Sequence, residues 1–304
     1  MEVPDVPYAF RPCRLTRSLR SFSMIHADLH THTLYAHGSS TPREMYEAGK
    51  RKGLQIHGFS EHSPRPLGYD YPNEYRERLS AHFGDYIREV REIAAEAGRE
   101  GREEVLLGLE MDWLEDEVPF QKHILAEEHF EYVIGGIHFL GTWGFDASAD
   151  DWKKLSAEHK EECYCRYYAT MKKMAESGLY DIVAHPDLIK IFSVNEFHDW
   201  LARPDSMELV RDALRAARDA GMAMEISSAG LRKPCREIYP CGEIVKAAAD
   251  LRLPVSFGSD GHCVNTIGAG FEELARHASA AGYTESLVFR RRRDGTREVR
   301  VLPF

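Results

Sequence analysis

No apolar run in the 304 residues approaches the roughly 20 needed to cross a bilayer as a helix. Basic charge is also short. Lys and Arg number 39 against 49 Asp and Glu, giving a formal charge of −10 and a pI near 5.9. Tracking a nucleic-acid backbone needs the opposite balance, which sets that class aside. A small anionic substrate stays open, because a local cluster of metal ions outweighs a global charge. Cysteine is sparse. The six (Cys13, Cys163, Cys165, Cys235, Cys241, Cys263) form no C-x-x-C pair, and Cys163-x-Cys165 is tighter than a zinc knuckle. A chain of this size without a disulfide framework fits a reducing compartment, and the expectation is a cytoplasmic protein. Internal repeats, low-complexity segments and clear linkers are missing too. Residues 23–304 therefore read as a single domain. Residues 1–22 carry Arg11, Arg14, Arg17 and Arg20 near serines but have no apolar core, and Glu2 and Asp5 weaken a transit-peptide reading. A mobile N-terminal extension is expected there.

What is present is an alternation of short apolar runs with helical patterns. Apolar runs fall at 24–29, 54–60, 105–111, 132–137, 182–184, 223–226 and 255–257. Helices are expected at 42–51, 74–102, 119–128, 152–177, 205–220, 241–251 and 268–281. Thr41-Pro42-Arg43-Glu44 is a helix start, with Thr as cap and Pro in the first turn. Residues 63–73 read as a loop able to cover a site, and 139–151 as another loop. Asp294-Gly295 lies between two short runs within 286–302 and signals a hairpin. The basic run Arg290 to Arg293 belongs to that hairpin as a solvated face. Strand–helix alternation repeated about seven times predicts an α/β architecture with parallel strands closed as a barrel.

Barrel enzymes place their chemistry at the C-terminal ends of the strands. Here those ends carry His30 and His32, with His37 just beyond, then His62, Glu110, His138, His185, and Asp260 with His262. His30 and His32 are two apart, so on an extended strand end they share a face. Asp260-x-His262 repeats that spacing. One strand-end histidine is usually a hydrogen-bonded structural residue. Seven histidines and two carboxylates on one rim are hard to explain as structure, because without metal they would crowd imidazoles and desolvate carboxylates. Three divalent ions (Zn, Fe or Mn) are the natural count, with Glu110 as the bridge. The other eight histidines fall on helices, strand starts or strand interiors and carry no such expectation.

Taken in order, Asp28-Leu29-His30-Thr31-His32, Ser60-Glu61-His62, Gly108-Leu109-Glu110, Gly136-Ile137-His138, Ala184-His185-Pro186 and Gly258-Ser259-Asp260-Gly261-His262 resemble the motifs of the PHP (polymerase and histidinol phosphatase) superfamily. Residues 184–190 and 228–240 resemble its histidinol-phosphatase branch. The resemblance implies a distorted (β/α)7 barrel, TIM-like, with a trinuclear centre. On that pattern His30, His32, Glu110 and Asp260 would hold one metal, Glu110, His138 and His185 a second, and His37, His62 and His262 a third. The implied activity is phosphomonoester hydrolysis by a metal-bridging hydroxide, with L-histidinol phosphate as substrate, in histidine biosynthesis. Arg232 would bind the phosphoryl group, helped by Lys190 or Arg65. Asp260 or His262, both also expected ligands, or equally a metal-bound water, would pass a proton to the leaving group. The rivals are a PHP nuclease or nucleotide phosphoesterase, a two-metal amidohydrolase-like C–N hydrolase, and a non-catalytic metal-binding module.

Overall fold

The structure is a computed structural model and describes residues 24–71, 75–101 and 104–304. The expected extension at 1–22 lies outside the described residues. The strands are β1 (Ala27–Asp28), β2 (Ile56–Phe59), β3 (Glu104–Asp112), β4 (Tyr132–Gly136), β5 (Phe139–Leu140), β6 (Trp143–Gly144), β7 (Ile182–Val183), β8 (Ala223–Ser227), β9 (Val255–Gly258), β10 (Glu285–Arg291) and β11 (Arg297–Pro303). Seven of them form one parallel sheet in the order β1-β2-β3-β4-β7-β8-β9. The ends of this sheet meet. Leu29 N donates to Phe257 O at 3.1 Å, His32 N to Gly261 O at 2.8 Å and Gly261 N to His30 O at 3.3 Å. The result is the expected distorted (β/α)7 barrel, and no helix is long and apolar enough to cross a membrane.

Alternation along the strands divides the apolar residues into two layers. Ala27, Leu29, Ile56, Leu106, Ile134, Ile182 and Ala223 pack together inside the barrel with Val288 and Phe289 of β10. A larger cluster lies between the sheet and the surrounding helices, including Met45, Tyr86, Val90, Met171, Leu214 and Val245. The expected C-terminal hairpin is present, with β10 and β11 antiparallel around Gly295 in the left-handed region at φ 85°. It covers the N-terminal end of the barrel. Arg290 reaches Glu104 at the start of β3 at 2.7 Å, and Arg291 N donates to Glu131 O just before β4 at 2.6 Å. Arg290 and Arg291 thus meet the floor carboxylates Glu104, Glu131 and Asp181, Arg292 pairs with Glu298 across the hairpin, and the opposite rim stays open.

Several boundaries differ from the sequence expectation for local reasons. The helix expected at 152–177 is two, Ala149–Lys153 and Ala157–Glu176, because Ser156 caps the second through His159 N. The loop expected at 139–151 contains the β5–β6 hairpin. A helix at Val194–Leu201 was not expected. The helix placed at 205–220 runs Pro204–Asp219, with Pro204 rather than Asp205-Ser206 at its start. The last helix begins only at Phe271, since Gly268 and Gly270 have φ of 57° and 77°.

Phe289 is buried against the inward-facing strand residues. Phe289→Ala should lower unfolding free energy by about 3–5 kcal/mol in urea denaturation. A loss under about 1 kcal/mol would mean the hairpin does not close the floor.

Candidate metal centre

The parallel register delivers the rim residues to one point. The strand path continues past β1 through His30 and His32, and Thr31 bridges to Gly261 after β9. His62 bridges to Glu110 in β3. His138 follows β4, His185 follows β7, and Asp260 and His262 follow β9. Two of these positions hold unusual backbone: His185 has φ 24° and Asp260 has φ 48°. Left-handed backbone at such residues costs about 1–3 kcal/mol and persists only where the surroundings enforce it. At His185, the backbone N donates to Glu225 Oε2 at 2.7 Å and the carbonyl accepts from Tyr167 Oη at 3.2 Å. At Asp260, Arg232 donates to the carbonyls of Ser259 and Asp260 at 2.6 and 3.2 Å.

Glu110 is buried at the centre. Its Oε2 lies 3.1 Å from His30 Nε2, 3.2 Å from His32 Nε2 and 3.1 Å from His62 Nδ1. Its Oε1 lies 3.0 Å from His185 Nε2 and 3.6 Å from His138 Nε2. Asp260 Oδ1 approaches His32 Nε2 at 3.3 Å, His30 Nε2 at 3.8 Å and His262 Nδ1 at 3.4 Å. The His37 ring centroid lies 4.1 Å from that of His262 and 5.2 Å from that of His62. All nine residues expected at the rim are therefore gathered. Donor atoms come within 4.8 Å of one another in three sets there: His30, His32 and Asp260; His30, Glu110 and His185; and His32, His62 and His262.

A layer of carboxylates behind the imidazoles sets their orientation. His30 Nδ1 pairs with Glu225 Oε1 at 2.7 Å, His32 Nδ1 with Glu61 Oε1 at 3.0 Å and His138 Nδ1 with Asp112 Oδ1 at 2.6 Å. Each carboxylate accepts a proton on Nδ1, which turns the Nε2 lone pair inward. Gly258 makes one approach possible: a Cβ there would sit 2.1 Å from Glu225 Oε1 and 2.5 Å from His30 Cβ. Asp28 supports the same corner by accepting from Ser259 N and Gly268 N, both at 2.9 Å.

This arrangement calls for positive charge. His30 Nε2 and His32 Nε2 are 3.1 Å apart with both lone pairs inward. Burial pushes the His30 pKa down, yet Glu225, Glu110 and Asp260 outweigh it and hold it well above the usual value. Burial also disfavours the Glu110 anion, but His30, His62 and His138 keep its pKa well below the carboxylate range. Farther out, burial and the neighbouring His262 and His32 press His37 down to about 2. His185 Nδ1 and His262 Nε2 are buried without a hydrogen-bond partner. Imidazole lone pairs, shared carboxylates and orphaned donors fit divalent metal ions.

The cations expected to bind substrate are engaged by the protein itself. Lys190 is fully buried, 2.7 Å from Asp187 and 2.6 Å from Glu237. Arg65 is buried, with Nε 2.6 Å from Asp112 Oδ2. Arg232 holds the backbone after β9, as above. The cleft over the centre, about 620 Å3, is lined by Lys233 and by Arg78, whose Nη2 donates to Leu34 O, with Tyr71, Tyr75 and Asp146. Sequence reasoning also passed over Glu61, Asp112 and Glu225. Glu225 had a signal, a carboxylate inside the apolar strand Ala223–Ser227. For Lys233 the signal was its place in the segment 228–240, beside Arg232.

Fold and site together define a barrel metalloenzyme whose centre is built from histidines and bridging carboxylates. The family model of the PHP domain matches residues 28–229. A probable histidinol-phosphatase of Deinococcus radiodurans is 34% identical over 271 residues, covering 88% of this chain and 97% of that protein. The histidinol-phosphatase of Bacillus subtilis is 27% identical, covering 81% of this chain and 96% of its own. Histidinol phosphate phosphatase from Lactococcus lactis, solved with Zn, L-histidinol and phosphate, superposes with a TM-score of 0.71 at 19% identity, over 87% of this chain and 97% of that one. The chain belongs to the PHP family, and its curated relatives place it in the histidinol-phosphatase branch.

Glu225→Gln should weaken metal retention by about 10- to 100-fold in competition with a chelator, because the His30 imidazole loses its charged partner. Unchanged retention would remove Glu225 from that role.

Proposed function

We propose that this protein hydrolyses L-histidinol phosphate to L-histidinol and phosphate at a centre of three divalent metal ions. The observation that carries the metal part is the two-sided Glu110, one oxygen facing His30, His32 and His62 and the other His138 and His185. His30, His32, Glu110 and Asp260 would hold one ion, Glu110, His138 and His185 a second, and His37, His62 and His262 the third. Zn, Fe and Mn all suit imidazole and carboxylate donors, and Zn has the support of the Lactococcus lactis relative. The substrate is supported by the names of the relatives, which match along nearly their whole length.

When bound, such ions acidify a water toward neutrality and neutralise phosphoryl oxygens. The chain's own residues do the rest. Lys233 and Arg78 line the cleft and would draw the phosphoryl group toward the centre. Arg232 would hold Asp260 in place through the carbonyls of its loop. Asp260 or His262, at the cleft wall, would pass a proton to the departing alkoxide. Tyr75 would fix the outer ring, since it pairs with His37 Nδ1 at 2.7 Å.

Purified protein should release phosphate from L-histidinol phosphate, lose that activity to a chelator and regain it with Zn or Mn. Cleavage of oligonucleotides without phosphate release would overturn the assignment. Glu110→Gln should lower kcat by about 100-fold or more, because it removes the shared charge. Metal analysis at saturation should give three ions per chain, and a fully active protein with two would remove the outer site.

A further inference from the structure

The cleft holds one carboxylate that the metal centre does not use. Among the described lining residues the carboxylates are Glu110, Asp260 and Asp146. The first two face imidazoles. Asp146 stands apart on the segment just after the β5–β6 hairpin, where Phe145 N donates to His138 O at 3.2 Å. No Lys, Arg or His nitrogen among the described residues forms an ion pair with it. Its Oδ1 accepts from Tyr71 Oη at 2.6 Å, and Tyr71 is itself half-buried. The Tyr71 ring is held from behind by Phe139, stacked at 5.3 Å between centroids, and by Arg65, 5.0 Å from the ring centre. A neutral donor thus fixes the carboxylate without cancelling its charge. Burial and the Asp146 carboxylate both raise the Tyr71 pKa, so the phenol keeps its proton.

A fixed, unpaired negative charge on the wall of a cleft otherwise lined by Lys233 and Arg78 is out of place for a substrate that is only an anion. It suits one that is also a cation. We propose that Asp146 receives the ammonium group of the substrate and makes the cleft selective for phosphomonoesters of amino alcohols. This rests on the assignment of an amino-alcohol phosphate substrate given above. The phosphoryl end would lie toward the histidine rim and the ammonium end toward Asp146, whose free Oδ2 accepts a charge-assisted hydrogen bond. Asp146 is here a specificity residue that takes no part in bond breaking.

The test is Asp146→Asn assayed on matched substrates: L-histidinol phosphate, its deaminated analogue 3-(imidazol-4-yl)propyl phosphate, and p-nitrophenyl phosphate. The expected result is a fall in kcat/KM of about 10- to 100-fold on L-histidinol phosphate, carried by KM, with the other two changed less than about 3-fold. Equal loss on all three, or no loss on any, overturns the proposal. Loss on both imidazole substrates but not on p-nitrophenyl phosphate overturns it as well, since Asp146 would then face the imidazole. Tyr71→Phe keeps the carboxylate and removes its donor, and should produce a smaller loss in the same direction. Phosphoethanolamine against ethyl phosphate repeats the comparison without an imidazole. If wild-type protein ignores L-histidinol phosphate, the substrate assignment fails by itself. The ammonium role is then upheld by a selective loss on phosphoethanolamine and overturned by equal rates of the two variants.

Discussion

Six imidazoles and two carboxylates facing one another inside a protein repel and desolvate unless cations join them, and most of the rim's structure answers that constraint. Glu61, Asp112 and Glu225 each take one nitrogen of an inner histidine, so the other nitrogen points to the centre. Their own placement is demanding. Glu225 spans from the His30 ring to the backbone of His185, two strands joined through a single carboxylate. Asp112 divides its oxygens between His138 and the buried Arg65. Burying these carboxylates costs several kcal/mol unless each stays paired, and their partners are imidazoles, a backbone N–H and a guanidinium.

The barrel makes this possible by separating two jobs at its two ends. The C-terminal hairpin inserts Val288 and Phe289 into the floor and spends Arg290 and Arg291 on Glu104, Glu131 and Asp181. The rim can then carry left-handed backbone at His185 and Asp260 and close approaches such as Gly258 against Glu225. Over it, Tyr71 and Tyr75 join Arg65 in one stack that runs from the metal-facing side to the outer cleft. Electrostatics in the cleft is consequently divided as well. The imidazoles and shared carboxylates gather at the centre, whereas Asp146 adds to the cleft lining a carboxylate that pairs with none of them.

The chain's own order determined a great deal. Strand–helix alternation fixed a seven-strand parallel barrel, and strand-end positions marked all nine rim residues, because a parallel sheet sends every C-terminal strand end to the same side. His37, with no strand of its own, is brought beside His262 and His62, with ring centroids 4.1 and 5.2 Å apart, but its ring nitrogens join none of the three compact donor sets. The Asp-Gly hairpin was equally visible, since turn chemistry is local. Tertiary structure alone decided how the long polar side chains are spent. Arg65, Lys190 and Arg232 looked free in sequence and are each claimed by groups 27 to 47 residues away, at Asp112, Glu237 and the Ser259–Asp260 loop. Glu225 was hidden for the same reason: a carboxylate inside an apolar strand has meaning only once a distant histidine, 195 residues away, is placed against it. Long flexible side chains choose partners by three-dimensional proximity, and sequence spacing carries no record of that choice.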